Sequence, residues 1–109
     1  MDVTVECQKM LSCIYRMDQR FGTGMVTDVL RGKNNERIRQ FRFEQLSTYG
    51  IMAKYTDSTI KDIISLMLSE GYLTLSGDKY PILNFTQKSN ALLQAEETLI
   101  MTRKIVEEV

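Results

Sequence analysis

A change in the spacing of apolar residues constrains the fold of this chain more than any other feature. Up to Gly71 the apolar residues recur at three- and four-residue spacings, the repeat of one face of an α-helix. Beyond Gly71 they alternate in 72–75 and again in 82–85, which is the repeat of a β-strand. Turn-forming residues in 76–81 separate the two runs and predict a hairpin. Helices followed by a hairpin favour a winged helix, a mainly α fold that combines a helix-turn-helix with a β-hairpin wing.

Glycines and polar caps divide the helical part into segments. The first apolar stripe runs from Val3 to Phe21, with Asp2 or Thr4 as its cap and Gly22 as its stop. The further predicted segments are a Gly22–Gly24 turn, a short apolar element over Met25–Leu30, a helix from Glu36 capped by Asn35, a helical piece through Phe41–Tyr49 ended by Gly50, a helix capped by Thr56 and stopped by Gly71, and a last helix over Gln87–Leu93.

Length and composition indicate one folded domain. The chain has 109 residues, of which 43% are apolar and 26% charged, an ordinary balance for a globular protein. It contains no apolar run of the ~18 residues needed to span a membrane and no secretory leader, and two cysteines are too few for a disulfide scaffold. We therefore expect a soluble, cytoplasmic domain over residues 1–93, with residues 94–109 as a helical or frayed tail or a linker toward a following domain.

The zero net charge conceals an uneven distribution. Residues 1–55 carry nine basic and six acidic side chains, whereas residues 56–109 carry five and eight. Most of the positive excess lies in residues 31–42, where five basic side chains face only Glu36. Such a run is compatible with a solvated surface or with contacts to nucleic-acid phosphates.

Several kinds of catalytic or metal site are excluded by the residues present. The chain has no histidine, so it holds neither a Ser/His nor a Cys/His pair, and it lacks the G-x-x-x-x-G-K-[ST] loop of an ATPase. Cys7 and Cys13 are six residues apart, which places their thiols on different sides of a helix. We expect both thiols to be structural, with no catalytic residue, metal or cofactor held by this chain.

The segment from Arg20 to Ile38 resembles a known family. Residues 19–24 have the pattern Gln-Arg-Phe-Gly-x-Gly, which predicts a turn. Residues 31–38 then have the pattern Arg-Gly-x-Asn-x-x-Arg-Ile. This pattern is similar to that of the RecQ C-terminal (RQC) winged-helix domain of bacterial RecQ-family DNA helicases. Tyr49-Gly50, Gly71-Tyr72-Leu73 and Thr86 match as well, so the resemblance covers about Asp2 to Leu93.

The resemblance implies a DNA-binding module that grips duplex by its phosphates near a fork and assists strand separation in repair, recombination and replication. Guanidinium groups suit phosphate oxygens, and a glycine at 32 allows close approach of a strand. The residues expected to contact phosphates are Arg31, Lys33, Asn34, Arg37, Arg39, Lys54, Thr56 and Ser58, and those expected at the wing tip are Lys79 and Tyr80. The parent protein would be an ATP-dependent helicase with ATP, magnesium and zinc sites elsewhere.

The chain departs from the family after Tyr49-Gly50. The basic residue expected there stands one position later, at Lys54, and the backbone N–H groups at the start of the next helix, with Thr56 and Ser58, are an alternative phosphate site. At the wing tip, Tyr80 either stacks on a base or covers the hairpin.

Two other functions remain open at this stage. The first is a dimeric winged-helix transcription repressor, which would use a tail helix over Ala95–Val109 as its dimer face. The second is docking of single-stranded DNA-binding protein through the helix after the wing, where Lys88 is the basic residue. The helicase interpretation instead predicts a monomer that binds double-stranded and forked DNA and is associated with the bacterial nucleoid.

Overall fold

A computed structural model of the protein describes residues 1–101. This part of the chain forms five helices, a 3₁₀ turn and a two-stranded antiparallel hairpin, which confirms the mainly α fold with a small hairpin. The elements are α1 (Thr4–Arg16), α2 (Thr23–Arg31), α3 (Glu36–Phe41), the 3₁₀ turn (Phe43–Gln45), α4 (Asp57–Ser69), β1 (Leu73–Ser76), β2 (Ile82–Phe85) and α5 (Ser89–Leu93). None of the helices in residues 1–101 is both long and apolar enough to cross a membrane.

The core lies between α1, α2 and α4, with the base of the hairpin and α5 closing it. The apolar stripes identified in the sequence supply its buried side chains, which include Leu11, Ile14, Leu30, Ile60, Ile63, Ile64, Met67, Leu73, Leu83 and Leu92. Cys7 and Cys13 are also fully buried, which confirms that they are core residues.

The prediction that the first helix extends to Phe21 is wrong. α1 ends at Arg16, because Asp18 and Gln19 take left-handed backbone conformations with φ of 63° and 51°. The following residues run along β2 instead, where Phe21 O accepts a 2.9 Å bond from Leu83 N. Asp2 does bond the start of α1, since its carboxylate accepts from Thr4 N at 2.8 Å. Contacts with the wing therefore override a helical spacing that continues past the end of the helix.

Gly22 begins a helix rather than stopping one. It precedes α2, whose first residues are the Thr23 and Gly24 that the sequence assigned to a turn. A Cβ on Gly22 would lie 2.6 Å from Pro81 O, so the absence of a side chain lets the wing approach the start of α2. This close approach explains the glycine without any need for a helix stop.

The expected helical piece from Phe41 to Tyr49 is also broken. Arg42 adopts a left-handed conformation with φ of 58°, which ends α3 at Phe41 and leaves a 3₁₀ turn and irregular backbone up to Gly50. Phe41 and Phe43 are held by a different interaction, since their rings pack against Phe21 with centroids 5.0 and 5.1 Å away. Aromatic packing replaces helical periodicity in this segment.

The second half of the chain follows the sequence more closely. Thr56 caps α4 by accepting from Thr59 N at 3.0 Å, and Gly71 has a φ of 84° just beyond the helix. The hairpin pairs Leu73 with Phe85 and Ser76 with Ile82, so β1 begins one residue later than predicted. α5 is shorter than the predicted 87–93, because Thr86 and Ser89 bond each other in a turn before the helix.

The residues after α5 return to the amino terminus. Leu99 O accepts from Val3 N at 2.9 Å, and Leu99 and Met101 are buried in the core cluster. Residues 95–101 form no helix. The remainder of the predicted tail, residues 102–109, lies outside the described part of the chain, and the predicted boundary at residue 93 stays a prediction.

Candidate nucleic-acid interface

The turn after α2 presents the first two basic residues of the 31–42 run. Gly32 has a φ of 72° and closes α2, while Lys33 N donates to Asp28 O at 3.0 Å, the bond of a Schellman motif. Tyr49 fixes the same turn, because its hydroxyl lies 2.9 Å from Gly32 O and 3.1 Å from Lys33 O. We call residues 31–34 the basic turn.

Gly50 supports the basic turn from behind. Its N–H donates to Val29 O at 2.8 Å, and a Cβ on Gly32 would lie 3.1 Å from Gly50 Cα. The two glycine backbones therefore pack against each other, which gives the Tyr49-Gly50 pair of the sequence a structural explanation.

Both cations of the basic turn meet one carboxylate at the start of α4. Arg31 Nη1 lies 3.0 Å from Asp57 Oδ1, and Lys33 Nζ lies 2.7 Å from Asp57 Oδ2. These bonds hold the pKa of the Asp57 carboxyl below its usual 3.8, with the bond from Lys33 as the largest cause and that from Arg31 next. In turn, the bond to Asp57 raises the pKa of Lys33. No signal in the sequence indicates this contact, because it joins residues more than twenty positions apart.

The short helix α3 carries the next two predicted phosphate contacts. Asn35 caps it by accepting from Ile38 N at 3.0 Å, as predicted from the sequence. Arg37 and Arg39 are exposed on α3, and Arg39 Nη1 donates to Asn34 Oδ1 at 2.6 Å. The bond from Arg39 ties α3 to the basic turn, and Arg37 lies on the same short helix.

Of the residues at the start of α4 that are predicted to contact phosphates, one is already bonded within the protein and two are exposed. The Thr56 hydroxyl both caps the helix and donates to Thr59 Oγ1 at 2.9 Å, so it is engaged within α4. Ser58 and Lys54 are exposed on either side of it. The bonds of Asp57 bring the start of α4 to the basic turn.

The wing is joined to the basic residues by an open groove. This concavity of about 790 Å³ is lined by Arg20, Arg37, Leu75 and Tyr80, with the Gly22–Met25 segment at its floor. The Tyr80 ring is 75% exposed and Lys79 Nζ lies 5.9 Å from its centroid. The ring is therefore accessible to a ligand, and Arg20 is a basic lining residue that the charge count in 31–42 could not identify.

The base of the wing is held by the segment that follows α1. Phe85 N donates to Gln19 Oε1 at 2.8 Å, and Asn84 Nδ2 donates to Gln19 O at 3.2 Å. The Gln-Arg-Phe-Gly pattern thus carries a structural role, in which Gln19 and Phe21 bond the outer edge of β2 and leave Arg20 exposed.

The two thiols do not take part in this surface. Burial raises the pKa of Cys7 to about 12 and that of Cys13 to about 11, so both thiols remain protonated at neutral pH. Among residues 1–101 no three His, Cys, Asp or Glu side chains are arranged so that they could hold a metal ion.

Comparison with known proteins decides the family. A family model described as the RQC domain matches residues 1–108. The chain belongs to the RQC domain family. The RQC chain is 39% identical over 95 residues to the ATP-dependent DNA helicase RecQ of Bacillus subtilis (strain 168). It is 33% and 32% identical over 99 residues to the proteins of the same name from Pasteurella multocida (strain Pm70) and Haemophilus influenzae (strain ATCC 51907 / DSM 11121 / KW20 / Rd).

The matched region is a small part of each relative. The alignments cover 87–90% of the RQC chain but 16% of each relative's length. The family and the winged-helix fold expected from the sequence are therefore confirmed, whereas the activity of a whole helicase is a matter of proposal for this chain.

Proposed function

We propose that this RQC domain is the duplex-binding part of a RecQ-type ATP-dependent DNA helicase. The observation that carries the proposal is the placing of Arg31, Lys33, Arg37 and Arg39 on one rigid turn and the adjoining helix. Arginine forks bind phosphate oxygens with fixed geometry, and phosphate contacts position a protein on duplex without reading its sequence.

The groove to the wing supports a fork as the preferred DNA structure. Arg20, Arg37 and the exposed Tyr80 ring line the same groove, so a duplex bound at Arg37 would lie close to an aromatic side chain. Stacking of an aromatic ring on a base is worth ~1–3 kcal/mol, and opening a base-pair step costs ~1.4 kcal/mol on average. One ring can therefore stabilise roughly one opened pair, and sustained strand separation would need translocation driven by ATP, with the ATP, magnesium and zinc sites in other parts of the parent protein.

The relatives' name supports the same assignment, since each is an ATP-dependent DNA helicase. We propose a cytoplasmic, nucleoid-associated monomer that acts in repair, recombination and replication. The repressor alternative needs a dimer face, and the described part of the segment proposed for it packs on the amino terminus instead. Light scattering on the purified chain distinguishes the two functions, because the repressor requires twice the monomer mass.

Docking of single-stranded DNA-binding protein remains a weaker proposal. Lys88, the basic residue expected to serve it, donates to Glu70 O at 2.8 Å and lies 4.5 Å from the centroid of the Tyr72 ring. An acidic group of a partner would have to displace these contacts.

The test of the main proposal is the salt dependence of binding to duplex DNA. About four phosphate contacts predict a slope of log K against log salt near −3.6, from about −0.9 per contact. Anisotropy of a labelled duplex, titrated at several salt concentrations, measures the slope. A flat salt dependence, or a roughly tenfold preference for one sequence over scrambled DNA, about 1.4 kcal/mol, would contradict the proposal and favour the repressor.

A further inference from the structure

We propose that Asp57 is an intramolecular competitor of DNA: its carboxylate occupies the place of a phosphate on Arg31 and Lys33 and must be displaced when duplex binds. The inference rests on the proposed function and deepens it, because it assigns to an acidic residue the tuning of affinity at the basic turn.

The geometry of the contact is that of a bound oxyanion. One carboxylate oxygen lies 3.0 Å from Arg31 Nη1 and the other lies 2.7 Å from Lys33 Nζ. Distances of this size are typical of charge-assisted bonds, and a phosphate offers its oxygens to two cations in the same way. Asp57 also stands in the first turn of α4, where the helix dipole favours a negative charge.

The contact is open to exchange with a ligand. The side chains of Lys33 and Asp57 are 40% and 38% exposed, so a phosphate can reach the pair without unfolding of the surrounding chain. Ion pairs this exposed contribute roughly 0–1 kcal/mol after screening by solvent and salt. The carboxylate therefore holds Lys33 in place but does not bind it strongly.

The competition reduces the charge available to DNA. Lys33 Nζ has a second carboxylate nearby, since Asp28 Oδ1 lies 3.6 Å away. Asp57 and Asp28 therefore both offset the charge of Lys33, and Asp57 offsets that of Arg31 as well. Arg37 and Arg39, which are exposed on α3, carry charge that Asp57 does not offset in this way.

The experiment compares Asp57→Asn with wild type in binding to a labelled blunt duplex, at one fixed low salt concentration. Asparagine keeps the side-chain shape and one oxygen acceptor but removes the charge. Two unit charges about 4 Å apart in water interact by about 1 kcal/mol, so we expect the variant to bind about fivefold more tightly. Glu96→Gln is the matched control, because it removes the same charge from an exposed residue after α5 and should change affinity much less.

A second comparison, made in the Arg31→Ala background, tests whether the gain in affinity arises at the basic turn. In the Arg31→Ala background the gain from Asp57→Asn should shrink, because one of the two cations that the carboxylate holds is absent. Unchanged or weaker binding by Asp57→Asn would overturn the inference, and so would an equal gain in Glu96→Gln. Weaker binding would mean that Asp57 positions the two cations for DNA and does not compete with it. Circular dichroism establishes that each variant is folded.

Inorganic tripolyphosphate separates failure of this inference from failure of the proposed function. It supplies phosphate oxygens without a duplex, so Asp57→Asn should also bind it more tightly than wild type and Glu96→Gln. If none of the proteins binds duplex while tripolyphosphate retains the order, the duplex-binding function is wrong and the competition stands. If duplex binding depends on Arg31 and Arg37 while Asp57→Asn changes neither ligand, the function stands and the competition is wrong.

Discussion

The basic turn and the wing tip lie at the two ends of one proposed DNA surface, but they are held very differently. Tyr49 bonds the backbone of the basic turn and Gly50 packs against it, while Asp57 bonds its two cations. At the wing tip, by contrast, Lys79 and Tyr80 are exposed, and the anchoring bonds from Gln19 and Phe21 reach only the strand behind them.

This difference indicates a division of roles. A preorganised turn loses little conformational entropy when a ligand binds, which suits a site that supplies affinity. An exposed aromatic side chain on a hairpin can adapt to bases at a junction whose geometry changes during unwinding. We therefore expect substitutions in the basic turn and α3 to change binding, and substitutions at the tip to change unwinding.

The largest effect should come from removing the arginines. Arg31→Ala and Arg37→Ala each delete a charge-assisted contact, and bonds to charged groups contribute ~1.5–3 kcal/mol, which corresponds to roughly ten- to 150-fold in affinity. Each variant should weaken binding evenly across DNA sequences and reduce the salt slope by about 1. Anisotropy titrations on two unrelated duplexes measure both quantities.

Arg31 also contacts Asp57, so its variant needs a check of folding by circular dichroism. Arg37 is exposed and serves as the control for that structural contact. If both folded variants bind with wild-type affinity, the basic run is a solvated surface.

The next effect concerns Tyr80 in the complete helicase that we propose contains this domain. Loss of ~1–3 kcal/mol of stacking would lower the opening equilibrium about five- to 150-fold. The measured rate of unwinding by Tyr80→Ala should fall less, because translocation itself also separates strands. ATP hydrolysis stimulated by single strands should stay nearly intact, because the motor would lie outside this domain.

Tyr80→Phe is the matched control, because it keeps the stacking face and loses only the hydroxyl. The quantity to compare is the unwinding rate divided by the ATPase rate. An unchanged ratio for Tyr80→Ala would leave the wing as a duplex-binding element without a separating role.

A glycine in each region gives a comparison of stability. Gly32 and Gly77 both have positive φ, 72° and 93°, so alanine is strained by ~1–2 kcal/mol at either place. At Gly32 a Cβ would also press on Gly50 Cα at 3.1 Å, inside the support of the basic turn. At Gly77 it would meet Tyr80 O at 2.8 Å, within the exposed tip.

Gly32→Ala should therefore lower the free energy of unfolding by the larger amount and weaken duplex binding as well. Gly77→Ala should be relieved by movement of the tip, with a smaller loss of stability and nearly unchanged binding. Urea denaturation and anisotropy test the pair, and an equal loss of stability in both variants would contradict the difference in rigidity.

Local signals account for what the sequence predicted correctly. Asn35 and Thr56 cap their helices through bonds to residues three positions away, and Gly71 has the left-handed backbone that a helix stop favours. Such features depend on neighbours in the chain, so residue type and spacing are sufficient to find them.

The errors arose where distant segments meet. The apolar spacing predicted a helix as far as Phe21. Gln19 and Phe21 instead bond β2, and the chain leaves the helical conformation before it reaches them. Likewise, no spacing relates Asp57 to Arg31, so the sequence located the cations of the site and missed the anion that holds them. Residue types identified the candidate surface, and tertiary contacts determine which of its charges are already matched.

The smallest expected effect is the pH dependence of stability that the Asp57 pair gives to the basic turn. The pKa of Asp57 is lowered in the folded state, mainly by the bond from Lys33 and then by that from Arg31. Its contribution to stability is therefore fully present above the unfolded carboxyl pKa, ~3.9, and is lost as the pH falls through the lowered folded value. The pKa of Lys33 is raised, so its contribution is present below its unfolded value and is lost as the pH rises through the raised one.

Wild type and Asp57→Asn should differ most between these limits and converge at acidic pH. At alkaline pH a smaller difference should remain, because Arg31 stays charged and still bonds Asp57. The difference should stay below about 1 kcal/mol, since the pair is more than one-third exposed at both Lys33 and Asp57 and solvent screens it. Urea denaturation across this pH range measures the difference, and the comparison cancels Asp2, whose lowered pKa is shared by both proteins. A difference that stays the same at acidic pH would mean that the Asp57 side chain stabilises α4 without its charge, and one that stays the same at alkaline pH would mean that Lys33 does not contribute to it.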